Sequence, residues 1–550
     1  MEVNETQFDA VSLGILWNRL ISITDEIEST LVRTSFSTIV SESYDLTVVI
    51  LDRQGRLVAQ GSHSIPVFIG TAPRTLGYML QKFPPASLSP GDVICTNDPW
   101  MGTGHLFDIN VMRPVFKPNG ELVGYTMSIT HLPDIGGLGF GAAATEIFHE
   151  GLRIPIVKLA EQGKTNPFII DLLEANVRTP ESTIGDLIAN VTCNEVGGRQ
   201  LLEFMDEYNI NDLGSLSDSI RSQSELAMRS KIQEIKNGLY KNQIMIEAID
   251  ESIPLVCNIE VKEESIDINF DGTGECVKRG INVPFCYTNA MSLYSIKCIT
   301  IPSLPNNEGA TRPIHVSAPE GCLLNAQPPY PTGGRHAIGH FVPGLIFGAL
   351  SEAAADKIQA DNGMIDLLTV QGTHPDGRPI STIHFTAGGF GALDGLDGRD
   401  CLPGPSNMAT VPVEIWETIT GMTVVSKRMI PDSGGPGKFR GGMGQEVTLR
   451  NDTGSPMTVL SMANRTEFPA PGYNDGHSGT LREHRINGKI IHPKGAHTLK
   501  PADTITLVQA GGGGIGDPAE RSKEKVKRDL SLGLISEQAA ARHYGYKISK

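Results

Sequence analysis

One hairpin with reactive residues on both arms constrains this sequence more than anything else in it. From Thr96 to Gly137 the chain carries His105-Leu106-Phe107-Asp108 on one arm and His131-Leu132-Pro133-Asp134 on the other, with the turn signal Lys117-Pro118-Asn119-Gly120 between them. Read as a two-residue type I′ loop at Asn119-Gly120, the turn opposes Pro118 to Glu121 and, counted outward, Asp108 to His131. Opposed residues have Cβ atoms roughly 5 Å apart, close enough for an imidazole and a carboxylate to hold one cation, with His105 a short step away. Pro114 cannot donate to a ladder, and a bulge there would slip the pairing by one.

The second arm alternates. Tyr125, Met127, Ile129 and His131 share one face, and Thr126, Ser128 and Thr130 the other, so His131 is expected to point inward. A lone inward histidine is usually a hydrogen-bonded core residue. Two histidines and two aspartates converging favour a metal site over that reading.

With 550 residues, 39% hydrophobic and 20% charged, the chain has the composition of a globular protein of several domains. It opens Met1-Glu2-Val3-Asn4-Glu5, without a basic or apolar leader, and its most apolar stretch, around Phe341 to Ala355, is broken by Pro343 and Gly344. The expectation is a cytoplasmic protein that does not cross a membrane. The eight cysteines are scattered without framework spacing, so free thiols are expected. A formal charge of −16 argues against a nucleic-acid surface.

The expected fold class is α+β, mixed and multi-domain, with antiparallel sheets, packed helices and many glycine-rich loops; the expected divisions are 1–215, 216–405 and 406–550. Leu13, Trp17, Leu20, Ile23, Ile27 and Leu31 recur at helical spacing from about Asp9 to Ser35. Tyr44 to Leu51 reads as a strand, with Asp45 either at its wet end or in a functional site, followed by a turn and a strand from Arg56 to Gln60. Phe168 to Arg199 and Ser215 to Lys241 read as helices, and residues from Ile253 to Phe270 as an antiparallel sheet. Glu146, His149, Glu150 and Arg153 either line a pocket or form a surface loop, and spacing favours the loop. The 60 glycines concentrate at Gly333-Gly334, Gly388-Gly389, Gly434 to Gly444 and Gly511 to Gly516. Such loops invite a phosphate reading. None continues into Lys-Ser or Lys-Thr, and no Gly-x-Gly-x-x-Gly joins a clear strand to a clear helix, so no nucleotide site is expected in this chain. No serine elbow or histidine-paired cysteine marks a nucleophile either.

Ser43-Tyr44-Asp45, Asn97-Asp98-Pro99 with Gly104-His105 and Asp108, His131 through Gly137, and Glu150 through Pro155 together resemble the hydantoinase B family. The likeness continues through Asp271 to Gly274, Glu417-Thr418, Gly434 to Gly444 and the tail Gly511 to Arg521, and covers nearly the full length. That family includes B components of ATP-dependent hydantoinases and lactamases, the C-terminal half of 5-oxoprolinase, and components of acetone and acetophenone carboxylases.

The resemblance implies a two-part enzyme. A separate hydantoinase A-type ATPase subunit, using ATP and Mg2+, would phosphorylate the carbonyl of a small cyclic amide, and this chain would complete ring opening at one divalent transition metal, Mn2+, Zn2+ or Fe2+. The family's ligands map to His105, Asp108 and His131. Asp45 would approach the same metal as ligand or general base, and Asp134 would orient an imidazole. A hetero-oligomer such as A2B2 is implied. Phe68 stands where members often carry histidine, a departure from the family pattern that leaves the identity of the substrate open. The alternatives are an ATP-dependent ketone carboxylase subunit and a non-catalytic scaffold with a structural metal, the latter disfavoured by the absence of cysteine from the ligand cluster.

Overall fold

The Asp108–His131 hairpin sits at the centre of a seven-stranded antiparallel sheet in a computed structural model that describes residues 8–249 and 251–546. The strands are β1 (Leu46–Asp52), β2 (Leu57–Gln60), β3 (Val93–Thr96), β4 (Asp108–Phe116), β5 (Leu122–His131), β6 (Val157–Glu161) and β7 (Lys164–Thr165), in the order β2-β1-β5-β4-β3-β6-β7. Asp108 faces His131 as the spacing predicts, and the register holds as far as Val115 opposite Gly124.

The turn that sets this register is not the expected one. The Gly120 N–H donates to the Lys117 carbonyl at 2.9 Å and the Lys117 N–H to the Glu121 carbonyl at 2.8 Å. Within the turn only Gly120 has a left-handed φ, +87°, whereas type I′ needs two. Pro118 and Asn119 therefore take the central positions, and Phe116 pairs with Leu122. Val123 then bulges between that pair and Val115–Gly124, and the two offsets cancel. Pro114 itself stays in register opposite Tyr125.

Both faces of the sheet are buried. Tyr125, Met127 and Ile129 enter the main core with Val49, Leu51 and Met112. Leu46, Val48 and Ile50 pack on the other face beneath α1 (Ala10–Thr34), α2 (Pro180–Glu207) and α3 (Leu213–Ile232). α1 forms where its apolar stripe predicts, with Asp9 capping the amides of Val11 and Ser12. The hydroxyl row Thr126, Ser128, Thr130 is covered by α2: Asn194 donates to Ser128 Oγ at 2.7 Å, Asn190 to Thr130 Oγ1 at 2.8 Å, and Thr126 donates to the Asn194 carbonyl. Alternation marked a polar face, and two asparagines satisfy it in place of water.

The expected helix from Phe168 to Arg199 is two, Pro167–Asn176 and α2, because Pro180 holds Thr179 in non-helical geometry (φ −122°, ψ 65°) before it opens the second. α3 ends at Ile232, short of the expected Lys241, and Gly238 instead starts the strand Gly238–Glu247 paired with Ser252–Val261. The latter continues antiparallel to Ile266–Asn269, as alternation predicts. Two further sheets, of four and five strands, are built from residues 365–508.

The C-terminal glycine loops stack on one another. A Cβ on Gly389 would fall 1.8 Å from the Gly442 carbonyl oxygen, one on Gly441 2.0 Å from that of Gly512, and one on Gly511 1.8 Å from that of Ser433. Their amides bond across the same seams, Gly435 N–H to Gly512 O, Gly512 N–H to Gly442 O and Gly442 N–H to Phe390 O. The excess glycine thus packs backbone on backbone, and these donors are used within the fold. No helix among the described residues is long and apolar enough to cross a membrane.

Candidate metal centre

Three neighbouring strands end at the same level. Tyr44, at φ +57°, turns the chain into β1, and the Asp45 carbonyl accepts from the His131 amide at 3.3 Å. Asp45, His131 and Asp108 therefore form one row across β1, β5 and β4. His105 comes from the loop before β4. Asn97 holds that loop by donating to the Leu106 and Leu152 carbonyls and accepting from the Ile154 amide. This explains the Asn97-Asp98-Pro99 motif as scaffolding.

One ligand atom each from His105, Asp108 and His131 lies within 4.8 Å of the others, all three residues buried. His105 Nε2 is 2.6 Å from Asp108 Oδ1, and His131 Nδ1 is 3.5 Å from the same oxygen and 3.6 Å from Asp45 Oδ2. His105 Nε2 nevertheless makes no aligned hydrogen bond. Donor atoms from two imidazoles and a carboxylate converging this closely fit a cation site, and the N,N,O donor set suits Mn2+, Zn2+ or Fe2+.

The remaining atoms of these side chains are held. The Gly333 carbonyl lies 3.0 Å from His105 Nδ1, fixing the ring so that Nε2 faces the cluster. Asp108 Oδ2 accepts from Thr103 Oγ1 at 2.7 Å and from the Arg335 guanidinium at 2.6 Å. Gly104 makes room for that arginine: its φ is +104°, and a Cβ there would fall 2.7 Å from Arg335 Cδ. Phe107 stacks on His131 at 5.3 Å, and Phe140 meets His131 and His105 edge-on at 4.9 and 5.6 Å, drying the site.

Burial holds His105 neutral, its value lowered to about 4 with help from Arg335. Burial raises Asp45 to about 6 against the pull of His131. Burial would also raise Asp108, but His105 and Arg335 hold it well below its ordinary value. With His105 neutral, we assign that effect mainly to Arg335.

Asp134 is placed elsewhere. It is fully buried, and its carboxylate accepts from the Arg178 backbone and guanidinium and from the Gly136 amide, fixing the turn after β5. The hydrogen-bond partner of His105 is Gly333, so the implied role of Asp134 as an imidazole orienter does not match its bonds. Phe68 is buried in the core, and its neighbours Ile65 and Val67 line the cavity.

The quartet at 146–153 divides. Glu146 and His149 are exposed, and Arg153 pairs with Asp98. Glu150, contrary to the surface-loop expectation, is 1% exposed and accepts from the Gly333 amide at 2.7 Å. It supports the peptide whose carbonyl holds His105. Burial raises its carboxyl to about 7, against the lowering hydrogen bonds from Gly333 and Thr332. A raised carboxyl favours folding below its unfolded value of 4.5, and that contribution fades as pH rises through 7. The wild type is therefore expected to lose up to about 3 kcal/mol between pH 5 and pH 8 from this group, and Glu150→Gln to flatten that limb in urea denaturation at the two pH values.

Sequence reasoning passed over Tyr287, Arg335, His336 and His340, which line the cavity with the ligands. The signal was the glycine-rich Gly333-Gly334 loop leading into Arg335 and His336, one of the loops that invite a phosphate reading. The free space is about 30 Å³, room for a water or two.

The chain matches the family model for hydantoinase B/oxoprolinase over residues 9–518, and it belongs to that family. It is 27% identical to the B component of a putative D-/L-hydantoinase from a Pseudomonas species, covering 99% of this chain and 96% of that one. The crystal structure of the ATP-dependent caprolactamase from Pseudomonas jessenii superposes with a TM-score of 0.90 at 26% identity, covering 99% of this chain and 97% of that one. Nucleotide-free acetone carboxylase shares the fold, with a TM-score of 0.89 at 18% identity over 98% of this chain and 80% of that one.

Proposed function

We propose that this hydantoinase B-family chain completes the ATP-dependent opening of a small cyclic amide, such as a hydantoin, 5-oxoproline or another lactam, at a divalent cation held by His105, Asp108 and His131. The observation that carries this is the convergence of two imidazoles and a carboxylate, all buried, on one small cavity. An ATPase partner of the hydantoinase A type supplies a carbonyl activated by phosphorylation, since an unstrained amide lacks the driving force to open. The partner carries ATP and Mg2+, the two chains form a cytoplasmic hetero-oligomer such as A2B2, and the site takes Mn2+, Zn2+ or Fe2+. A cation there supplies Lewis acidity and lowers the pKa of water in its open position.

Asp45, in the same row as the ligands, receives the proton of the attacking water or joins the ligand set. Arg335 fixes Asp108 from behind, Gly333 fixes His105, and Phe107 and Phe140 exclude bulk water.

Relatives that act on cyclic amides favour hydrolysis, whereas the likeness to acetone carboxylase extends to the fold alone. With its ATPase partner, the chain is expected to open at least one of hydantoin, 5-oxoproline and caprolactam in strict dependence on ATP. Liquid chromatography of each product decides this. Bicarbonate-dependent consumption of acetone, with every ring intact, contradicts the reading and favours the carboxylase.

A further inference from the structure

The ligands account for part of the cavity lining. Tyr287, 1% exposed, and His336, 7% exposed, line it with them; Tyr287 Oη and both ring nitrogens of His336 are buried without a hydrogen-bond partner. An unsatisfied buried polar atom is costly. Two side chains with such atoms lining one small cavity with the cation ligands mark the place of an occupant with heteroatoms of its own.

Both side chains are held in position by packing. Tyr287 projects from the helix α4 (Phe285–Thr300), with the Arg335 guanidinium 4.5 Å above its ring. Gly339 lies against the same ring, where a Cβ would fall 2.2 Å from Tyr287 Cε1, and the His340 ring is 6.3 Å away. His336 stacks on Phe140 at 5.4 Å, and Phe140 in turn abuts His131 and His105. The Gly333-Gly334 pair lets this loop press inward, since a Cβ on Gly334 would lie 2.7 Å from Met462 Sδ and 2.8 Å from the Gly280 carbonyl oxygen.

We propose that Tyr287 and His336 form the subsite that receives the two heteroatoms of a cyclic amide, Tyr287 Oη donating to the oxygen on the reacting carbon and His336 bonding the ring nitrogen. This rests on the cyclic-amide reading above. The assignment between the two follows from adjacency. Tyr287 lies against Arg335, which bonds the ligand Asp108, so it stands beside the carbon that the cation activates. His336 lines the same cavity stacked on Phe140, which abuts both ligand imidazoles, and is left to bond the ring nitrogen. A phenol hydroxyl with a guanidinium on its face is a strengthened donor, and a neutral imidazole offers one donor and one acceptor, matching a ring nitrogen before and after C–N cleavage.

The test uses the complex with its ATPase partner, comparing wild type, Tyr287→Phe and His336→Gln on whichever cyclic amide the wild type opens. Cation content and melting temperature are expected to be unchanged in both variants, while ring-opening kcat falls about 10–100-fold. Fluorotyrosine at position 287 supplies a readout independent of turnover, its 19F resonance moving when that amide is added to the cation-loaded chain without ATP. Ring opening in both variants within about twofold of wild type, with a static 19F signal, overturns the subsite and leaves the cyclic-amide reading standing. A wild type that opens no ring and consumes a ketone overturns both, and is recognised before any variant is made.

Discussion

Asp108→Ala is expected to lose the cation and about 3–5 kcal/mol of stability together, a larger loss than His131→Ala causes. The difference lies behind the ligand. Oδ1 faces the two imidazoles, whereas Oδ2 is bonded to Thr103 and to Arg335, a residue only 4% exposed. Removing one partner of a buried ion pair leaves a charge with no water to solvate it, at a cost of about 3–5 kcal/mol. His131→Ala deletes a ligand and opens a void but strands no charge. Adding Arg335→Met to Asp108→Ala is expected to restore much of the stability and none of the cation binding. Denaturation curves beside elemental analysis check this. Equal stability of Asp108→Ala and His131→Ala would contradict the role given to Arg335.

The second large effect lies far from the site in sequence. Asp366 Oδ2 is 2.6 Å from His484 Nε2 and accepts from Gln509 at 2.8 Å, and Arg482 Nη1 is 3.9 Å from Asp366 Oδ1; these groups are essentially without solvent contact. Ser461 Oγ lies 2.8 Å from His484 Nδ1, giving the outline of a hydrolytic triad, but the hydroxyl also donates to the Pro493 carbonyl and is buried. This is a structural network. Asp366→Ala strands Arg482 and His484 and is expected to cost about 3–5 kcal/mol. Burial pushes the Asp366 carboxyl up, but His484 and Arg482 outweigh it and hold it far below its unfolded value of 3.8. A depressed carboxyl stabilises the fold above 3.8 and loses that contribution as pH falls below it. Acid unfolding of the wild type should therefore steepen below about pH 4, and the milder Asp366→Asn should show a shallower acid limb, since it has little left to lose. Parallel acid limbs in the two proteins would refute this.

The ligand row was legible because it depends on local rules. Period-two alternation put His131 inward, and hairpin counting put Asp108 across from it. The counting succeeded through two cancelling offsets, a turn centred on Pro118-Asn119 and a bulge at Val123, so pairing was legible where turn type was not. Pro180 was visible as a breaker, yet the apolar pattern on either side of it masked the interruption. Tyr287, Arg335 and His336 were not legible as site residues. They reach the cavity by packing between segments far apart in the chain, and no periodicity encodes that approach. Glycine abundance was legible as composition, but its use in stacking backbone on backbone appears only when residues 388–391, 434–442 and 511–514 are brought together.

The most direct test of the account is elemental analysis of the purified chain, wild type beside His131→Ala, followed by ATP-dependent ring opening with the partner ATPase. The account predicts one divalent transition metal per wild-type chain, and its loss from the variant together with ring opening, while partner ATP hydrolysis persists in part. A wild-type chain that opens the ring at full rate after exhaustive chelation, or a His131→Ala variant that keeps both metal and ring opening, would contradict it.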